Sequence, residues 1–435
     1  MNLEQIKKEH RVIDLFCELA EIPSPSGKEK QVSERIIEIL SIHGIAAKYD
    51  TFGNVIAKIP ASSGCKNIPS LLLSAHMDVV GGSDAVNLKL SKNGVFIETD
   101  KTRTLGADNK AGVAAIMDLL IGLNSLDSKT SHGMLEATFT KDEEMGMTGI
   151  RNLDTSKLKS KYVIVADGEK LGEHDVAGAG FTNVYINVTG GKGGHSGINI
   201  SDIDRISAIK ILTEIDSKIP QGVFKQTDKG VVTSINAGVI IGGSAGGYFN
   251  EAIKDTIANI KTQKNILPKY AAKEAMKTIS QESPLNIISS EAYISYSLRS
   301  SEIEPEEELL NIIKNIVSET EKKYNGKIKV EVVIQKHLKP FLKSENNPLS
   351  KAISIAANNL EINSKESVFH AGAETHIYAN EKTNEKGEKF LPILVGLANI
   401  ENMHSSDEKL DWKSLAKGRE WLEETINEFS KLWNE

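Results

Sequence analysis

The chain has 435 residues, 40% of them hydrophobic and 26% charged, with a net charge of −7. That is the composition of an ordinary soluble globular protein, too long for one hydrophobic core, so two domains are expected. No Lys/Arg-rich block occurs, which argues against a nucleic acid or an anionic membrane as partner, and no window approaches the roughly 18 uninterrupted apolar residues of a membrane span. The N-terminal segment Met1 to His10 carries charges where a signal peptide needs an apolar centre, and Cys17 and Cys65 have no metal-type spacing. The expectation is a cytoplasmic protein with two free thiols.

In chain order, residues 4–20 have helical spacing and are stopped by Ile22-Pro23-Ser24-Pro25-Ser26-Gly27; Lys28 to His43 predicts a second helix. Val55 to Ile59 and Leu71 to Ala75 read as strands, the second apolar throughout and therefore central. A weaker hairpin near Leu88 to Thr99 precedes Thr104 to Gly112, which runs into Val113 to Leu123, a helix so apolar that it must be buried on most sides. Asp108 then falls in the loop or cap of that helix, facing the sheet edge. Leu135 to Thr140 and Tyr162 to Ala166 are strand-like, followed by Asp142-Glu143-Glu144 and Asp167-Gly168, and Pro392 to Leu397 is followed by a loop carrying His404.

The texture changes between about 183 and 336. Val184 to Val188, Val231 to Ile241, Ala292 to Leu298 and Ile328 to Ile334 read as strands. One helix, capped by Asp202 or Asp204, carries Ala208, Leu212, Ile215 and Ile219 inward; a second, opened by Pro305, carries Leu309, Ile312, Ile313 and Ile316. The order β-α-β-β-α-β describes a ferredoxin-like domain, interrupted by a Lys-rich insertion at about 247–284 that reads as a surface elaboration. After Pro340 the pattern returns to α/β, with helices from Pro348 to Asn358 and around Trp421, Leu422, Ile426, Phe429 and Trp433. The expected organisation is a mixed α/β domain, 1–182 with 337–435, holding an inserted domain at 183–336.

Metal-competent side chains follow the apolar runs: His76, Glu144, Asp167 and His404. Open α/β sheets collect their sites at the carboxyl ends of the strands. With Asp108 bridging, two imidazoles and three carboxylates suffice for two Zn²⁺-like ions, and N/O ligation favours zinc, with Co²⁺ or Mn²⁺ as substitutes. Asp78 is placed to accept the far ring N–H of His76. Glu143, beside a ligand, is placed to take a proton from water and give it to a leaving amine, so the chemistry expected is metal-assisted amide hydrolysis.

These residues resemble the M20 family of co-catalytic zinc peptidases and deacylases: His76-Met77-Asp78, Asp108 within Gly-Ala-Asp-Asn-Lys-Ala-Gly, Glu143-Glu144, Asp167 and His404 occur in the family's order. The resemblance implies that Glu143 is the catalytic base, that His404 and Glu144 hold one metal and His76 and Asp167 the other, and that Asp108 bridges them. It also implies a zinc-peptidase-like sheet with a lid and dimerisation domain. Within that domain His195, in Gly193-Gly194-His195-Ser196-Gly197, would reach the active site of a partner subunit and polarise the scissile carbonyl of the substrate there, while Asn286 and Arg299 would contact substrate, with Asn250 a rival for the asparagine role. Thr-Lys-Asp-Glu-Glu-Met-Gly-Met-Thr-Gly looks like the tripeptide aminopeptidase (peptidase T-like) branch, and His-Ala-Gly-Ala-Glu is similar to the Xaa-His dipeptidase branch. Glu374, in a loop near the sheet edge, is the candidate for the substrate's free amino group. The expected activity is release of the N-terminal residue from di- or tripeptides. The alternatives are an N-acyl-amino-acid deacylase and, from another class, a non-catalytic peptide-binding protein, which predicts losses among the motif residues where none occurs.

Overall fold

The computed structural model describes residues 2–227, 230–243, 286–345 and 347–433. The chain divides into two compact units, Met1–Ala177 with Phe341–Phe369 and Ala373–Glu435, and Gly178–Pro340 with His370–Gly372. The segment 247–284 and Asn250 lie outside the described residues.

The first unit is built on an eight-stranded mixed sheet in the order Ala46–Tyr49, Val55–Ile59, Leu135–Thr140, Leu71–His76, Tyr162–Gly168, Leu391–Gly396, Glu173–Gly178, Lys365–Phe369. Its four central strands, from Leu135–Thr140 to Leu391–Gly396, are parallel, so their carboxyl ends share one edge. All six residues of Leu71–His76 are buried, because helices cover both faces of a central parallel strand. Each fully buried leucine there contributes on the order of 1.5–3 kcal/mol. The helix Ala107–Leu123 is buried almost all round and packs against this strand and against the helices Arg11–Glu21 and Trp412–Lys431. Its approach to the sheet depends on Gly112, where a Cβ would stand 2.1 Å from the Ala166 carbonyl oxygen.

The second unit holds a five-stranded antiparallel sheet in the order Gly222–Thr227, Gly230–Gly243, Glu291–Ser300, Gly180–Thr189, Lys329–Leu338. The helices Ala208–Asp216 and Ile303–Lys323 bury Ile211, Leu212 and Ile215 and Leu309, Leu310, Ile313 and Val317 in one core with Val184, Ile186, Ile294 and Leu298. Leaving aside the edge strand Gly222–Thr227, the spatial order of the four remaining strands is fourth, first, third, second, which is ferredoxin-like topology.

Several local expectations are corrected. The first helix is two, Leu3–Glu9 and Arg11–Glu21, broken at His10, whose backbone is extended at φ −129°. Neither Asp202 nor Asp204 caps a helix: Ser207 occupies the N-cap, and the Asp202 carboxylate instead accepts from the Asp204 N–H and the Arg205 Nε. Ile219 is buried beyond the helix end. The edge strands Ala46–Tyr49 and Lys365–Phe369 were not foreseen, since exposed edges lack the apolar run that marks central strands. Among the described residues, no helix is long and apolar enough to cross a membrane.

Candidate metal centre

His76 closes the strand Leu71–His76 with its imidazole almost fully buried. Nδ1 lies 2.9 Å from the Asp78 main-chain carbonyl and 3.3 Å from the Asp78 carboxylate. A carbonyl oxygen only accepts, so Nδ1 carries a proton, and Nε2 on the other side is the ring atom left to face the carboxylates or, once it has given up its own proton, a metal ion. That nitrogen stands 3.1 Å from Asp108 Oδ1 and 3.2 Å from Asp167 Oδ1.

The same pattern recurs on the other side of Asp108. His404 Nε2 lies 3.0 Å from Asp108 Oδ2 and 3.1 Å from Glu144 Oε1. Asp108 therefore presents one oxygen to each histidine. Its position is set at the start of the Ala107–Leu123 helix, where Asp108 and Asn109 depart from helical dihedrals across a cis peptide bond. Two donor sets follow, His76 with Asp108 and Asp167, and His404 with Asp108 and Glu144, each with ligand atoms within 4.8 Å of one another. A third grouping, His76 with Glu143 and Glu144, meets the same limit and keeps Glu143 within ligand range.

Donor chemistry and spacing fit divalent cations. Ligands at 2.0–2.1 Å around a tetrahedral ion stand roughly 3.3 Å apart, close to the 3.0–3.2 Å separations found here. Charge points the same way, since the carboxylates of Asp108, Asp167, Glu143, Glu144 and Glu374 gather about two imidazoles. Burial lifts Glu144 to about 7, with neighbouring Asp108 adding to the rise, and lifts Asp167 to about 6 against the pull of His76. Glu143 is pushed well above the usual carboxylate range by burial and, despite His76, by Asp167, Glu144 and Glu374. Burial would also raise Asp108, but its bonds to His404 and His76 hold it low. Such a concentration of buried carboxyl groups has to be neutralised, by bound protons or by cations, and a pair of divalent cations is what the donor geometry fits.

The Asp78 carboxylate does something beyond orienting His76, whose shorter contact is to the Asp78 main chain. Oδ1 accepts from the Glu143 N–H at 3.0 Å, and Oδ2 from the Glu144 N–H at 3.1 Å and the Ser26 hydroxyl at 2.7 Å. It pins the loop that carries both acidic residues. Glu374 is also not where the sequence placed it: it opens the helix Glu374–Glu381 and is buried, not in a loop. Its Oε2 accepts from Ser74 Oγ at 3.0 Å, and Oε1 has no hydrogen-bond partner among the described residues. Burial lifts this carboxyl to about 7, against the pull of Thr140, His76 and Ser74 and with Asp167 adding to the rise.

Sequence reasoning missed Ser26 and Glu408. The available signal for Glu408 was its place four residues after His404; what it does depends on main-chain N–H groups, which carry no residue code. In the second unit, His195 and Asn286 come together, Nε2 to Nδ2 at 3.4 Å, while His195 Nδ1 accepts from the Gly197 and Ile198 N–H groups. Nε2 then carries the ring proton, and the other Asn286 amide orientation would present an acceptor to it. Arg299 lies apart from them on the strand Glu291–Ser300, half-buried with its guanidinium 4.8 Å from the Phe181 ring centre.

The sequence model of peptidase family M20/M25/M40 matches residues 72–428. The chain belongs to this family. Among the proteins it resembles, the cytosol non-specific dipeptidase of Escherichia coli (strain K12) is 30% identical over 210 residues, 42% of this chain and 42% of that protein. Peptidase T of Geobacillus kaustophilus (strain HTA426) is 29% identical over 229 residues, 46% of this chain and 54% of that protein. These matches thus span about half or less of the relatives' length. Fold similarity runs further: the crystal structure of aminopeptidase PepT from Bacillus cereus ATCC 10987 has a TM-score of 0.77 at 21% identity, covering 96% of this chain and 98% of that one. The Bacillus subtilis YXEP protein, described as a dinuclear metal binding peptidase from the M20 family, has a TM-score of 0.64 at 15% identity, covering 96% and 97%.

Proposed function

We propose that this M20 protein is a two-metal exopeptidase that hydrolyses short peptides, releasing the N-terminal residue of di- or tripeptides. The observation that carries the reading is Asp108 presenting one oxygen to the His76 side and one to the His404 side, with Glu143 in ligand range of His76 and Glu144. His76 and Asp167 would hold one cation, His404 and Glu144 the other, and Asp108 both. Zinc, or cobalt or manganese in its place, would supply Lewis acidity for the scissile carbonyl and for a water.

The rest falls to the chain itself. Glu143 takes the proton from the attacking water and gives it to the leaving amine as the C–N bond breaks. Asp78 holds the Glu143 and Glu144 main chain in place for that transfer. Glu374, whose buried Oε1 has no hydrogen-bond partner among the described residues, offers an acceptor to a substrate ammonium group. That favours free N-termini over the acylated substrates of a deacylase, which present no cation there. By resemblance, His195, Asn286 and Arg299 act on substrate from a lid domain through which the protein forms a homodimer.

The test is hydrolysis of a di- and tripeptide library, with free and N-acetylated N-termini, by zinc-loaded protein and by Glu143→Ala. The reading expects cleavage of free peptides and a loss of at least about 10³-fold in kcat for the variant, within the range for a general base, with metal content held near two per chain. Cleavage of blocked substrates alone would make the protein a deacylase, and unchanged activity in the variant would remove Glu143 from the chemistry.

A further inference from the structure

Asp108 has to present its two oxygens in two directions, yet the turn that carries it lacks the usual supports. Gly106 is the N-cap, has no side chain to cap with, and sits in the left-handed region at φ 73°. Asp108 and Asn109 leave the helical ladder. The N–H groups at such a start need acceptors from elsewhere.

They find one in Glu408. Its Oε2 accepts from the Gly106 N–H at 2.8 Å and its Oε1 from the Asp108 N–H at 3.2 Å. The side chain is 1% exposed. Its own N–H is anchored on the Ser405 carbonyl at 3.2 Å, so it belongs to the loop that carries His404. Arg103 and Lys110, both buried, lie within electrostatic reach of this carboxylate. Neither is an ion-pair partner among the described residues: Arg103 donates to the carbonyls of Ala20, Asp84 and Thr104, and Lys110 to that of Ile22. One carboxylate thus ties the turn that aims Asp108 to the loop that aims His404.

We infer that Glu408 is a positioning residue which fixes Asp108 relative to His404 and so sets the affinity of the cation site made by His404, Glu144 and Asp108. The inference rests on the two-metal reading above. A bidentate acceptor is required, because two N–H groups converge on it. Glutamine keeps one oxygen and turns an NH₂ group toward the other N–H, which displaces the turn. The His76 and Asp167 site shares only Asp108 Oδ1, and its histidine is held through Nδ1 by the Asp78 main-chain carbonyl rather than by Glu408.

Zinc titration by calorimetry, backed by competition with a chromogenic chelator, on wild type, Glu408→Gln and Glu408→Asp tests this, with thermal unfolding of the zinc-free proteins run in parallel. The expected result is two tight sites in wild type and, in Glu408→Gln, one retained and one weakened by about 10–100-fold, the range for outer-sphere partners of metal ligands. Glu408→Asp keeps the charge but not the reach, so it should give the same split with a smaller loss, and it serves alone if the glutamine variant does not fold. Excess zinc should restore kcat at unchanged KM. Equal weakening of both sites with a lowered melting temperature, or wild-type binding at both, would overturn the inference. Metal stoichiometry is read without substrate, so a wild type that binds two ions but cleaves no peptide would count against the proposed function and leave Glu408 standing.

Discussion

Replacing Asp78 by Asn changes one atom of a buried carboxylate that accepts from the Glu143 N–H, the Glu144 N–H and the Ser26 hydroxyl and stands 3.3 Å from His76 Nδ1. An amide offers one oxygen and one NH₂ group. With the oxygen toward Glu143, the NH₂ faces Glu144 and Ser26; the hydroxyl can turn to accept, but the Glu144 N–H cannot. Flipping the amide moves the conflict to Glu143. In either orientation one main-chain N–H of the acidic pair loses its acceptor, a cost of about 1–3 kcal/mol. If that cost falls on the metal-bound arrangement, it corresponds to a weakening of roughly 5–150-fold at 1.4 kcal/mol per factor of ten. Chelator competition on Asp78→Asn should therefore show zinc affinity reduced within that span, and kcat at saturating zinc should also fall, because the Glu143 loop loses its anchor. Zinc affinity and kcat both within twofold of wild type would refute the reasoning.

Glu374→Gln should raise KM for free-amine peptides by about 30-fold, equivalent to about 2 kcal/mol for a buried charge pair losing one partner, and leave any residual cleavage of N-acetylated peptides unchanged; steady-state kinetics on the two substrate series reads the difference. Asp175 tests the packing of the edge beside Glu173–Gly178. Its carboxyl is raised from 3.8 to about 6 by burial, against a Ser367 hydrogen bond and with Glu173 adding to the rise. The folded state therefore binds this proton more tightly than the unfolded one, and stability is lost as pH climbs from 3.8 to about 6. Asp175→Asn removes that loss, so urea unfolding should find the variant more stable than wild type by about 1–3 kcal/mol above pH 6, with the gap closing below pH 4; an equal gap at both pH values would contradict it.

His76, Asp108, Glu144, Asp167 and His404 could be picked out in the sequence for one physical reason. Buried parallel strands read as unbroken apolar runs, so a polar residue at the end of Leu71–His76 or in Tyr162–Gly168 stands out and the common strand direction brings such residues to one edge. The structure gathers all five there. Glu408 was silent because its partners are N–H groups, and a charge in Ser-Ser-Asp-Glu reads as solvated. Glu374 was misplaced because its surroundings, Ser74, Thr138 and Tyr378, form a buried polar network that apolar periodicity cannot reveal. The break at His10 escaped notice because the apolar spacing runs through it, and the edge strand Lys365–Phe369 because pairing with a neighbour, not its own pattern, makes it a strand.

The most direct test of the two-metal centre is anomalous diffraction at the zinc absorption edge from crystals of the zinc-loaded protein. Two peaks roughly 3.5–4 Å apart, the spacing of co-catalytic pairs, are expected, one ligated by His76 and Asp167, the other by His404 and Glu144, with Asp108 touching both. A single peak, or two peaks with Asp108 touching neither, would contradict it.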